Sequence, residues 1–141
     1  QLFNKIEKIR LLAGKKMGMG DVKGKVLPKV SLLSKSVNNN SIVSRYFTPY
    51  SCHETHAVTG TCCVASSCLI PGTVGFRLLN KKDSLNFNTE TIKIEHPMGS
   101  IDCIIVLNSN FKNNLVSKKD LVKSCGIYRT SRILMKGQVY F

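Results

Sequence analysis

Apolar and polar positions change rhythm several times along this chain, and each change marks an element. Over residues 2–13, Leu2, Ile6, Ile9 and Ala13 recur at helical spacing while Lys5, Lys8 and Arg10 take the other faces. That pattern predicts an amphipathic helix, with Gly14 as its C-terminal cap. A glycine-rich turn, Met17-Gly18-Met19-Gly20-Asp21-Val22, leads to a strand over 29–33, and residues 34–41, with three consecutive asparagines, read as an exposed turn. The β-rich run 42–47 stops before Pro49. A polar turn carrying Cys52, His53, Thr55 and His56 then feeds a helix of small residues over 57–68. Pro71-Gly72-Thr73 ends that helix ahead of a loop or edge strand at 74–80, and 80–88 reads as a polar, mobile connection.

Alternation returns in 91–95 and 100–106, which flank His96-Pro97-Met98-Gly99 as the two strands of a hairpin. Residues 108–119 read as an exposed hairpin connection, 119–125 as a short helical stretch, 131–137 as a last helical turn and 138–141 as a closing strand. Strands wrapped around one helix of small residues define an α+β domain. Its mostly antiparallel, curled sheet surrounds a central helix at 57–68.

Length and composition narrow the picture. A chain of 141 residues fits one domain, and 43% hydrophobic residues match an ordinary globular protein rather than a disordered one. No apolar run approaches the roughly 20 residues that cross a bilayer. The first residue is Gln1 and no apolar signal segment follows it, so the chain reads as a fragment or processed piece. The net charge of +13 raises the alternative of a non-catalytic basic domain that binds nucleic acid or another polyanion. The lysines and arginines are scattered, though, and seldom interleave with aromatics. A solvated surface is the better reading, and the same field attracts a small anionic substrate. Six cysteines without a secretory signal point to a reducing, cytoplasmic setting, with Cys62, Cys63 and Cys68 packed in the helix as small hydrophobes.

The candidate chemistry gathers where the polar turn meets the small-residue helix. A helix N-terminus offers free N–H groups and a positive dipole end, which suit a carboxylate or phosphate. Thr59 and Gly60 supply N–H groups there, and His53 is placed to touch ligand. Thr55 is either a ligand contact or the helix N-cap. His56 reads as a structural residue bonded to backbone. Cys52 and Cys62 are possible thiolates, of which only Cys52 is placed to feel the dipole. A Cys-His-x-x-His cluster without a paired Cys-x-x-Cys is a poor zinc motif, so no metal is expected. Met19 and Gly20 lie in a turn that allows close backbone approach to a ligand but lacks the Gly-Lys-Ser/Thr ending of a phosphate loop. His96 either serves a simple hairpin turn or lines a cleft.

Seven motifs in order carry a family resemblance: Gly18-Met19-Gly20-Asp21-Val22, Pro28-Lys29-Val30, Arg45-Tyr46-Phe47, His53-Glu54-Thr55-His56-Ala57-Val58-Thr59-Gly60, Ile70-Pro71-Gly72-Thr73, His96-Pro97-Met98-Gly99, and 129–140 from Arg129 to Tyr140. The chain resembles the C-terminal half of the PrpF family, which includes methylaconitate isomerases and oxalomesaconate tautomerases. The resemblance implies the diaminopimelate epimerase-like fold, two similar lobes each wrapping a sheet around a central helix, with substrate between them. It implies that this chain is the C-terminal lobe and that the N-terminal lobe is missing. It also implies a proton or double bond moved α to a carboxylate of a small polycarboxylate, with no metal or organic cofactor. Related epimerases carry a catalytic Cys before a Gly-Thr-Gly where this chain has Ala57-Val58-Thr59-Gly60, a departure that fits the isomerase branch. Met98 replaces the small Ser usual in the hairpin turn. The family's principal acid–base residues lie on the first lobe, so the catalytic residues are expected outside this chain.

Overall fold

A computed structural model describes residues 1–79, 88–108 and 120–141. The elements run α1 (Leu2–Lys16), β1 (Val30–Lys35), β2 (Ser41–Thr48), β3 (Ser51–Cys52), α2 (Val58–Ser67), α3 (Val74–Leu79), β4 (Thr89–His96), β5 (Gly99–Leu107) and β6 (Val122–Ile127). The six strands form one sheet in the order β1-β2-β4-β5-β6, with β3 paired to β2. All pairings are antiparallel except β2 with β4, where Ile42 stands opposite Ile94. The result is an α+β fold dominated by an antiparallel sheet.

The alternation in β4 is the clearest link from sequence to core. Glu90, Ile92 and Ile94 turn inward while Thr89, Thr91 and Lys93 face out. Ile42, Ile92, Ile94, Cys103 and Ile105 from the sheet meet Val64, Ala65, Cys68 and Leu69 from α2 and the turn after it. Each fully buried Ile or Leu there contributes about 1.5–3 kcal/mol. Thr61, Val64 and Ala65 can pack closely because the helix offers small side chains to the sheet. Its other side stays open: Val58, Thr59 and Cys63 are exposed, so α2 is seated on the sheet rather than enclosed by it. Cys63 therefore departs from the expected buried packing.

Tertiary contacts overrode local pattern in several places. The face that α1 buries is Ile6, Arg10 and Gly14, not the Leu2–Ile6–Ile9–Ala13 stripe. Arg10 is enclosed because its guanidinium pairs with Glu7 at 2.7 Å and donates to the carbonyls of Leu27 (2.9 Å) and Val22 (3.0 Å). Gly14 lies within the helix rather than capping it, and the position takes glycine because a Cβ there would stand 2.5 Å from the Val22 side chain. The cap is Met17, followed by Gly18 at φ +76°. Residues 74–79 form a short helix instead of the expected loop or edge strand. Residues 122–127 form an edge strand instead of a helix, because β5 offers a free edge with Ile105 opposite Cys125. Residues 128–141 carry no helix or strand, so the expected last helical turn and closing strand do not form. The expected connections at 80–87 and 109–119 lie outside the described residues.

Candidate active site

The site begins with the turn between β3 and α2. His53 N donates to Tyr46 O at 2.7 Å, which folds the turn back against β2. Met98 N donates to Glu54 O at 3.2 Å, which ties the β4–β5 hairpin to the same turn. His96, the last residue of β4, is thereby brought beside His53 and His56, and the imidazoles sense one another electrostatically.

His56 is buried and serves the scaffold. Its Nε2 lies 3.0 Å from Ser44 Oγ and its Nδ1 3.1 Å from Thr61 Oγ1, while its ring stacks at a tilt on Tyr46 with centroids 4.5 Å apart. Burial, then the His96 and His53 rings, push its pKa below the ordinary histidine value, with an opposing pull from the Ala57 carbonyl. The ring is held neutral. His53 is half-buried, and its Nδ1 accepts from Thr55 N at 3.1 Å and meets Thr55 Oγ1 at 3.2 Å. An Nδ1 that accepts leaves the proton on Nε2, so the outer edge of this ring is a donor. Thr55 is not the helix N-cap. Ala57 holds that position and supplies no side-chain bond, because its methyl group has nothing to offer. The first backbone bond of α2 runs from Thr61 N to Ala57 O at 2.8 Å, so the N–H groups of Val58, Thr59 and Gly60 precede it.

Beside this helix end lies a groove of about 510 Å³ lined by Met17, Met19, Lys29, Tyr46, Thr59, Gly60 and Cys63, among others. Three expected residues, Met19, Thr59 and Gly60, meet there. His53, Thr55 and His96 sit on the neighbouring turn, outside the groove lining, and Gly20 is exposed at φ +69° without lining it. Tyr46 forms the groove wall against Gly60, where an added Cβ would stand 2.5 Å from the ring. Burial raises the Tyr46 phenol, so it remains a protonated donor. The Nδ1 atom of His96 is buried and meets no hydrogen-bond partner of good geometry among the described residues; desolvation lowers the ring's pKa, against an opposing pull from the Glu54 backbone.

Lys29 and Ser31 were missed as site residues. Lys29 Nζ sits 5.5 Å from the Tyr46 ring centroid, a cation–π contact that places a positive charge at the groove. The β1–β2 register sets Ser31 opposite Tyr46, and a correct strand pairing would have exposed both residues as groove neighbours.

A helix of small residues seated on a mainly antiparallel sheet, with its uncapped N-terminus beside a groove, makes this an α+β fold with a candidate site at the helix end. The chain belongs to the PrpF protein family, whose model matches residues 1–141. It is 37% identical over 139 residues to a protein named as isomerase YbhH in Escherichia coli K12, covering 99% of this chain and 36% of that one. It is 33% identical over 138 residues to a 4-oxalomesaconate tautomerase of Pseudomonas putida, covering 98% of this chain and 35% of the relative. A (4E)-oxalomesaconate Delta-isomerase of Novosphingobium is 34% identical over 140 residues, with 99% of this chain and 36% of the relative covered. The chain thus spans about a third of the length of these curated relatives. Among solved structures it shares its fold with a methylitaconate-delta-isomerase, at a TM-score of 0.63 and 24% identity over 91% of this chain and 36% of that one. No helix among the described residues is long and apolar enough to cross a membrane.

Proposed function

We propose that this chain is the C-terminal lobe of a two-lobed isomerase of the diaminopimelate epimerase-like superfamily, one that moves a proton or double bond α to a carboxylate of a polycarboxylic acid. The observation that carries the reading is the uncapped N-terminus of α2 opening beside the groove. Removing a proton α to a carboxylate builds negative charge, and preorganised N–H groups stabilise it without reorganisation. The amides of Thr59 and Gly60 hold one substrate carboxylate, the Nε2 edge of His53 donates from the adjoining turn, and Lys29 adds a positive charge across the groove. The dipole supplies about 0.3–2 kcal/mol to a bound anion, and each charged hydrogen bond adds about 1.5–3 kcal/mol. Met19 and Tyr46 shape the apolar wall, Thr55 holds the His53 ring, and His96 completes the turn. The acid–base pair comes from the other lobe, in keeping with the one-third coverage of the relatives.

The relatives named for oxalomesaconate isomerisation support a tricarboxylate-like substrate. The assay is double-bond migration in 4-oxalomesaconate and aconitate-type acids by the intact protein, with solvent deuterium incorporation followed by NMR. Folded protein that neither isomerises these acids nor exchanges their α protons would sink the proposal.

A further inference from the structure

On the side of α2 away from the groove, three thiols converge that the isomerase reading does not use. Cys62 on α2, Cys103 on β5 and Cys125 on β6 place their Sγ atoms within 4.8 Å of one another. Cys103 and Cys125 are 3.2 Å apart, and Cys125 Sγ lies 3.8 Å from the Cys62 carbonyl. The register explains the meeting: Cys103 stands opposite Ile127 and Cys125 opposite Ile105, so the two cysteines are diagonal neighbours on one sheet face. That face meets α2, where Cys62 turns toward the sheet and Cys63 toward the groove.

We propose that Cys62, Cys103 and Cys125 form a three-thiolate site for a soft monovalent metal ion, Cu(I). A trigonal centre with metal–sulfur bonds of about 2.3 Å sets its sulfurs about 4.0 Å apart. The observed separations, from 3.2 Å up to the 4.8 Å bound, bracket that triangle. Among the described residues the cluster offers three donors, which suits Cu(I) and falls short of the four that structural zinc takes. Cys103 is fully buried while Cys62 and Cys125 are half-buried, so the cluster lies at the edge of the core with a path for an ion to enter. A free cysteine is a thiol rather than a thiolate at neutral pH. Binding therefore replaces the S–H protons with metal–sulfur bonds. One Cu(I) and three thiols yield a doubly negative tris-thiolate centre and three released protons, with no change in oxidation state.

The experiment uses the intact protein, reduced with a phosphine under anaerobic conditions and titrated with Cu(I) against bathocuproine disulfonate. The expected result is one equivalent of Cu(I) that Cys62→Ser/Cys103→Ser/Cys125→Ser loses and that Cys52→Ser and Cys63→Ser keep. Cys62→Ser alone, at a half-buried position, should bind roughly a hundredfold more weakly while retaining wild-type circular dichroism. Apparent affinity should rise with pH, by up to about a thousandfold per unit if all three protons leave. Equal retention by the triple variant, loss on Cys63→Ser, or a flat pH dependence would each overturn the site. A Cys103–Cys125 disulfide that survives the phosphine would overturn it too.

Discussion

Gly60→Ala tests the central packing of the site, because a single methyl group separates two opposite expectations. In an open helix, alanine gains about 0.5–1 kcal/mol over glycine through lower backbone entropy in the unfolded chain. Here the new Cβ would stand 2.5 Å from Tyr46 Cε2, 2.8 Å from Cζ and 3.0 Å from Oη. The ring has little room to retreat, since Tyr46 is 6% exposed and its other side is stacked on His56. Overpacking of this kind costs about 1–3 kcal/mol, so against the gain of about 0.5–1 kcal/mol the net effect is a loss of up to about 2.5 kcal/mol. Urea denaturation followed by circular dichroism reads the difference directly. In a Tyr46→Ala background the obstruction is gone, and Gly60→Ala should become neutral or stabilising, a coupling of about 2 kcal/mol. Polycarboxylate binding should weaken in the single variant as the displaced ring moves Lys29 and the groove wall. If Gly60→Ala stabilises the wild-type background, the close approach of α2 to β2 described above is wrong.

His53→Ala should weaken polycarboxylate binding about tenfold, the equivalent of 1.4 kcal/mol, with stability little changed; titration calorimetry on folded protein checks it, and unchanged affinity removes His53 from the site. His56→Ala should instead destabilise by about 3–5 kcal/mol, by analogy with aromatic-to-alanine cavities, and leave the Ser44 hydroxyl unpaired; a loss below about 1 kcal/mol contradicts its scaffold role. Arg10→Met keeps the bulk but strips two donors from the carbonyls of Val22 and Leu27. A loss of about 1–3 kcal/mol is expected in thermal or urea unfolding, the cost of orphaning the one buried carbonyl, that of Val22, since half-exposed Leu27 can turn its own to water. Acid should destabilise the fold through His56. Its folded pKa lies below the value of 6.5 that the unfolded chain approximates, so both states are neutral at higher pH and the unfolded chain takes up the proton first. Stability should be flat above that value and fall by up to about 1.4 kcal/mol per pH unit as pH drops through it toward the folded pKa. A His56→Gln variant should show a shallower slope, and an identical slope would refute the assignment.

The hairpin of β4 and β5, the strand β2 and the small-residue helix α2 were legible in the sequence, because each buries one face and shows it as a period. Alternation at Ile92 and Ile94, or alanine and cysteine spaced along 57–68, needs no knowledge of the partner surface. That Thr59 and Gly60 stand at a helix end with the His53 turn just before it was legible as well, since the turn and the helix are contiguous in the chain. What only the tertiary structure decided is whatever depends on a distant neighbour. Arg10 is buried because the carbonyls of Val22 and Leu27 receive it, and no local pattern announces that. Residues 122–127 are extended because β5 has an edge to offer, although their own composition suits a helical turn as well. Lys29 reaches the groove because strand register sets Ser31 against Tyr46, and the three thiols of Cys62, Cys103 and Cys125 meet because the same sheet carries two of them beneath the third. Periodicity reports a preference for burial; the partner that satisfies it is chosen by hydrogen-bond register and close packing between segments far apart in the chain.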